Sequence, residues 1–339
     1  MKRILLIATG GTIASAEDGH GLSPALTGAE LAACVPEVEG LCELEILQLM
    51  NIDSTNMRPA DWLRIAGAIE ERYTAFDGFL ILHGTMAYTA AALSYLIQGS
   101  AKPIVLTGSQ RPMTSSFTDA KLNLYQSLLY ALDDASCDVT IVFGGIAIAG
   151  TRARKQRTMS SNAFTSVNFP PLAYIRNDRI VRAGAAGATP GADAALAEAP
   201  LPPVFRTLDD RVAVLKLTPG LSPHLFRALK ADYDALILEI YGLGGIPDYG
   251  TCGPSFKEAI FDWVDSGAGR RTRPRRVRSG TRLCGASGHS ARRRHVDRGD
   301  RCQDDVGARP DPRSARPRAA LLPSHQPRSA DVAQALGAR

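Results

Sequence analysis

Apolar runs alternate with amphipathic stretches along the first three quarters of the chain. Arg3-Ile4-Leu5-Leu6-Ile7-Ala8 is unbroken in its apolar positions, the pattern of a strand buried on both faces. Strands are also expected at 43–50, 79–82, 104–107 and 139–143. Between them the pattern predicts helices over 25–35, 59–73, 87–97 and 118–134. In the first of these, Thr27 is the N-cap and Glu30 completes a capping box. Pro59 falls in the first turn of the second, where its missing N–H costs little. Such alternation builds a parallel sheet with helices on both faces. An Ala/Gly/Pro-rich stretch, 183–203, reads as a linker. A second α/β unit follows, with strands at 212–217 and 235–240, helices at 223–231 and 255–266, and a loop at 241–245.

Three of these strands run into polar, glycine-containing turns. They are Thr9-Gly10-Gly11-Thr12-Ile13-Ala14, His83-Gly84-Thr85 and Thr107-Gly108-Ser109-Gln110. The strand at 43–50 ends similarly, in Asn51-Ile52-Asp53-Ser54-Thr55. In open α/β sheets ligands bind at the carboxyl ends of strands. One such turn is an ordinary strand ending, whereas several together point to a shared site. His83, a single histidine at a strand end, reads as a packed and bonded side chain.

Composition changes the picture mainly at the carboxyl end. The chain has 339 residues, a formal net charge of +5 and 45% hydrophobic residues. Residues 270–339 hold 18 Arg, no Lys and 6 Asp, a net of +12, which leaves −7 on the first 269 residues. The same segment lacks Ile, Phe, Tyr, Trp, Met, Glu and Asn. It cannot bury enough apolar surface to offset its ordering entropy, so it is expected to be disordered. Arg, Ala, Gly and Pro are what GC-rich DNA yields out of frame, which is the reading adopted over a basic nucleic-acid-binding tail. Cys34, Cys42, Cys137, Cys252, Cys284 and Cys302 show no C-x-x-C spacing, which argues against a disulfide framework and a zinc site. The apolar run after Met1-Lys2-Arg3 is too short for a signal peptide or a membrane span, so a cytoplasmic protein is expected.

The elements Ala8-Thr9-Gly10-Gly11-Thr12-Ile13-Ala14, Asn51-Ile52-Asp53-Ser54, His83-Gly84-Thr85, Ala87-Tyr88-Thr89-Ala90, Thr107-Gly108-Ser109-Gln110, Asp119-Ala120-Lys121-Leu122-Asn123-Leu124 and Tyr241-Gly242-Leu243-Gly244 carry a resemblance. Over residues 1 to about 266 the chain resembles bacterial L-asparaginases of the cytosolic, type I-like kind, in the asparaginase/glutaminase family. The resemblance implies a larger amino-terminal, flavodoxin-like parallel-sheet domain and a smaller carboxy-terminal α/β domain. On this chain the expected division is 1–182, linker 183–203, a partial second domain 204–267, and an out-of-frame 268–339. It implies hydrolysis of L-asparagine to L-aspartate and ammonia through an acyl-enzyme, with Thr12 as nucleophile, Thr85 as second catalytic threonine and Lys155 as its activating partner. Gly11, Ser54, Thr55, Gly84 and Ser109 are the implied substrate-binding positions, with Ser54 on the α-carboxylate. No metal or organic cofactor is implied. The implied partners are the small-molecule substrate and further copies of the chain, as a homodimer or homotetramer; no membrane and no nucleic acid is expected.

The chain departs from the family pattern in three places. The family turn His-Gly-Thr-Asp-Thr-Met is here His83-Gly84-Thr85-Met86, without the aspartate that binds the substrate's α-amino group. The tyrosine on the loop after the nucleophile is absent, and Leu22 stands near its place. The family's late helix Lys-Thr-Met-Trp-Ala-Leu-Gly-Gln is missing, yet its GC-rich codons read from the third base spell Asp304 to Pro310. The alternatives are therefore an impaired relative that only binds amides or is non-functional, and the related amidotransferase subunit.

Overall fold

The first element, β1 (Arg3–Gly10), lies inside the sheet, and every side chain from Ile4 to Gly10 is buried. Its neighbours are explained by alternation. Leu5 and Ile7 point into one apolar cluster, Ile4, Leu6 and Ala8 into the other, as a period of two requires. The computed structural model describes residues 1–17, 22–24, 26–182, 199–242, 244–247 and 255–265. These all belong to one compact unit, Met1–Arg282. The expectations for 268–339, and for 183–198 of the linker, lie outside the described residues.

After β1 the chain makes a short antiparallel hairpin, β2 (Ser15–Glu17) with β3 (Leu22–Pro24), and then α1 (Gly28–Ala33). The Thr27–Glu30 capping box is present: the Glu30 amide donates to Thr27 Oγ1, and the Thr27 amide donates to Glu30 Oε2. There follow β4 (Glu43–Ile52), α2 (Pro59–Arg72), β5 (Gly78–Leu82), α3 (Met86–Leu96), β6 (Ile104–Thr107), α4 (Ala120–Leu132) and β7 (Val139–Phe143). The parallel strands lie in the order β4-β1-β5-β6-β7. Numbered among themselves this is 2-1-3-4-5, the flavodoxin-like order, with its switch point between β1 and β5. Helices α2 and α3 cover one face through Ile65, Ile69, Leu93 and Leu96. On the other face α1 and α4 pack through Leu31, Leu124 and Leu128.

The sheet is not wholly parallel. Antiparallel strands β8 (Ile146–Ala149), β11 (Ala173–Arg176) and β12 (Arg179–Arg182) extend it beyond β7 to eight strands. The hydrophobic pattern predicts none of them. Each has only four residues, too short for periodicity to register. Their turns did carry a signal. Gly144-Gly145 joins β7 to β8, and Asn177-Asp178 joins β11 to β12, all four with φ between 47° and 73°. That is the chemistry of tight two-residue hairpins. Between β8 and β11 a small separate hairpin, β9 (Ala153–Lys155) with β10 (Phe164–Ser166), leaves the sheet.

The later elements are β13 (Val212–Lys216), α5 (Leu225–Leu229), β14 (Ala235–Glu239) and α6 (Phe256–Asp265). Strands β13 and β14 pair in parallel, and Leu217, Phe226, Leu238, Phe256 and Trp263 form a core of their own. Part of the expected linker is anchored: the Gln98 amide donates to the Pro203 carbonyl and the Phe205 amide to that of Leu96. The Arg206 guanidinium also donates to the Glu70 carboxylate from Nε and Nη2. Among the described residues no helix is long and apolar enough to cross a membrane.

A buried lysine closes the turn after α2. Lys102 has no exposed surface, and its Nζ donates to the carbonyls of Tyr73 and Phe76, both at 2.7 Å. Burial pulls its pKa below the usual lysine range, partly opposed by Asp77. Lys102→Met should leave both buried carbonyls without a donor. At roughly 1–3 kcal/mol for each unsatisfied buried group, a loss of about 2–6 kcal/mol is expected. Urea unfolding with unchanged m-value would measure it; a loss under about 1 kcal/mol would show that water replaces the ammonium.

Candidate active site

The turn after β1 and the turn after β5 touch through backbone. Gly11 sits at φ 82°, ψ −177°, a region open essentially to glycine alone. A Cβ built on it would stand 2.7 Å from the Gly84 nitrogen, and one on Gly84 would stand 2.0 Å from Ser54 Oγ. Any side chain at either place would push the turns apart. With both glycines, the ends of β1, β4 and β5 converge. The Gly11 amide also donates to the Ile52 carbonyl at 3.0 Å, tying β1 to the end of β4.

These ends open on a cavity of about 670 Å³. Thr12, Ser54, Thr55, Gly84, Thr85, Ser109 and Lys155 all line it. Gly11 does not; it supports the cavity from behind through its contact with Gly84. Thr12 is half-buried, opens a short 3-10 turn (Thr12–Ala14), and its hydroxyl has no hydrogen-bond partner among the described residues. Ser54 opens another such turn, Ser54–Asn56, capped by Asp53, whose Oδ1 accepts from the Thr55 amide at 2.9 Å. Thr85 is the residue before α3, and its hydroxyl donates to the Ser54 carbonyl at 2.6 Å. Ser109 donates from Oγ to the Arg111 carbonyl at 2.5 Å. Lys155 is exposed at the end of β9 and paired with Phe164 across the hairpin.

Several lining residues were not read from the sequence as site residues. Asp53 supplies the one carboxylate among the described lining residues, and Arg154 adds a second cation beside Lys155. Phe143 ends β7 and packs edge-on against Phe164 of β10, with ring centres 5.2 Å apart. Phe143 could have been found as one more strand end; Phe164 lies in a three-residue strand that no pattern marks. Tyr88 stands within the quoted Ala87–Ala90 stretch and is largely exposed at the cavity wall. Among the described residues no group of three or more His, Cys, Asp or Glu is placed to hold a metal ion.

Directly under the site lies His83, buried to 1% exposure. Its Nε2 is 2.8 Å from Thr89 Oγ1, and its Nδ1 is 2.9 Å from Thr9 Oγ1. The partners fix its tautomer. The Trp62 indole N–H can only donate, and it donates to Thr89 Oγ1 at 3.0 Å. Thr9 gives its one hydroxyl hydrogen to the Leu82 carbonyl at 2.7 Å, so it must accept from Nδ1–H, and Nε2 of the neutral ring accepts the Thr89 hydrogen. This closed chain links α2, α3, β1 and β5 through a neutral ring. Burial lowers the His83 pKa from 6.5 to about 4.

Similarity to known proteins agrees with this geometry. The family model described as Asparaginase, N-terminal, matches residues 3–185. The L-asparaginase of Thermococcus kodakarensis is 36% identical over 250 residues, covering 72% of this chain and 73% of that protein. A glutamyl-tRNA(Gln) amidotransferase subunit of Methanosphaera stadtmanae is 35% identical over 261 residues, covering 73% of this chain but only 58% of that protein. The solved structure of the thermostable L-asparaginase from Thermococcus kodakarensis superposes with a TM-score of 0.68 at 33% identity, over 78% of this chain and 77% of that one. The chain belongs to the asparaginase family.

The His83 chain has a measurable consequence. A folded pKa below the unfolded one means that the unfolded state takes up the proton first. Stability present above pH 6.5 should therefore fall as the pH drops toward 4, and level off below it. The loss amounts to about 3 kcal/mol at 1.36 kcal/mol per pKa unit. Urea titrations of the parent and His83→Gln between pH 7 and 4 should differ by this amount. Parallel curves would show that His83 titrates normally.

Proposed function

We propose that the chain hydrolyses the side-chain amide of L-asparagine to L-aspartate and ammonia, with Thr12 as nucleophile. The observation that carries this reading is the convergence of Thr12, Thr85, Ser54 and Lys155 on one cavity. The Thr12 hydroxyl attacks the amide carbon, ammonia leaves, and water cleaves the resulting ester. Attack requires an acceptor for the threonine proton. Thr85 has its own hydrogen committed to the Ser54 carbonyl, so its oxygen can accept from Thr12. Thr85 passes a proton on to the departing nitrogen, so that it leaves as ammonia, and Lys155, unpaired among the described residues, acts as the activating partner of Thr85.

Ser54 and Thr55 meet the substrate's α-carboxylate, and Ser109 and Gly84 border the amide. The turn after β5 lacks an aspartate, so Asp53 is the carboxylate left to receive the substrate's ammonium. A charge-assisted bond of this type contributes about 1.5–3 kcal/mol. The working assembly in this reading is a homodimer or homotetramer.

Thr12→Ala should reduce ammonia release from L-asparagine by more than about a hundredfold, the size of loss typical for a nucleophile. It should leave the unfolding midpoint nearly unchanged, because Thr12 is half-buried and its hydroxyl has no partner among the described residues. Residual activity above about one hundredth of the parent would remove Thr12 from the nucleophile's role.

A further inference from the structure

Thr107-Gly108-Ser109-Gln110 is used only in part by the chemistry above: Ser109 lines the cavity and Gln110 does not. The Gln110 side chain turns the other way. Its Nε2 donates to the Ser160 carbonyl at 3.1 Å and to the Arg157 carbonyl at 3.3 Å. Both carbonyls lie in the loop joining β9 to β10, which begins one residue after Lys155. Two acceptors require the amide nitrogen, not its oxygen, at this point.

The loop's other polar contacts among the described residues are internal. The amides of Gln156 and Arg157 donate to the Ala163 carbonyl, Arg157 Nη1 to that of Asn162, and Ser160 Oγ to Asn162 Oδ1. These bonds shape the loop without locating it against the sheet. Gln110, by contrast, stands on a rigid base. Asp119, at the start of α4, accepts from the amides of Gln110 and Arg111 and from Asn123 Nδ2. Buried Asn123 donates to the Gly108 carbonyl and accepts from the Gly144 amide, so the ends of β6 and β7 are clamped to α4. The Gln110 amide extends this clamp to the hairpin that carries Lys155.

We propose that Gln110 is a positioning residue that acts through Lys155, fixing the β9–β10 hairpin so that the lysine faces the cavity; this rests on the asparaginase reading given above. Losing the two bonds leaves the hairpin held by packing without a polar tie: Ala163 and Phe164 sit in the core beside Phe143, and the loop backbone at Ser161 and Asn162 lies against Gly144. A lysine Nζ at the end of such a hairpin then samples a wider volume. Displacements near 1 Å at a reacting centre can cost up to about a hundredfold in rate.

The test is a double-mutant cycle with an independent structural readout. Gln110→Met keeps the length and removes the donors. It should lower kcat at least about tenfold, with KM within about twofold, and have no further effect in a Lys155→Ala background. Equal losses in both backgrounds would overturn action through Lys155. Amide exchange at residues 157–163 should quicken by about tenfold in Gln110→Met, and unchanged exchange would overturn the tie. Gln110→Glu sets a carboxylate against two carbonyls at pH 7 and should recover activity relative to the parent toward pH 5, as the acid regains a donor hydrogen; no recovery would overturn the donor role. A parent that releases no ammonia from L-asparagine would overturn the asparaginase reading and with it any catalytic role for Gln110, whereas altered activity confined to Gln110 variants leaves that reading standing.

Discussion

No atom beyond backbone fits between the turn after β1 and the turn after β5. That constraint governs the site. Gly11 occupies a conformation open essentially to glycine alone, with its α-carbon against the Gly84 amide. Gly84 in turn lies over Ser54. Three strand ends thus meet at van der Waals distance, at the switch point of a 2-1-3-4-5 sheet, where the crossovers on either side diverge and leave a crevice. The cavity follows from this topology. The glycines decide how closely its walls approach, and so bring Thr12, Thr85 and Ser54 around one cavity.

Around that contact the structure divides its labour. Strand cores supply rigidity: every residue of β5, β6 and β7 is buried. Beneath the turns, the neutral His83 ring joins two helices and two strands by hydrogen bonds alone. A charged ring could not replace it, because Thr89 would lose its acceptor. At the flank, Asp119, Asn123 and Gln110 form a hydrogen-bonded path from α4 to a hairpin that lies outside the sheet's own ladder. The polar groups under and beside the site are therefore largely paired, whereas the Thr12 hydroxyl and Lys155, which face the cavity, have no side-chain partners among the described residues. In the proposed reading these two free groups stand on a largely bonded support, the arrangement that preorganised catalysis requires.

Sequence by itself determined the parallel half of the sheet. The runs at Ile4–Ala8, Phe79–Leu82 and Ile104–Thr107 are apolar on both faces, and only a sheet covered by helices on both sides can bury them. It determined the first helix start, since Thr27 and Glu30 satisfy orphan amides locally. It also marked the strand-end turns, because glycines beside hydroxyl residues at the ends of buried strands have few other uses. The hairpins at Gly144-Gly145 and Asn177-Asp178 were not read: their turn residues tolerate positive φ, but the four-residue strands they join carry no periodicity. Tertiary structure alone decided the rest. It placed Lys155, whose role in the sequence came only from the resemblance, on the same cavity as Thr12, far earlier in the chain. It brought in Asp53, Phe143 and Phe164, and it gave Gln110 and His83 their partners. Periodicity reports which face of an element is buried, and turn chemistry reports where an element ends. Neither reports which distant loop a side chain meets, because that depends on strand order and register, which are settled only when the sheet closes its core.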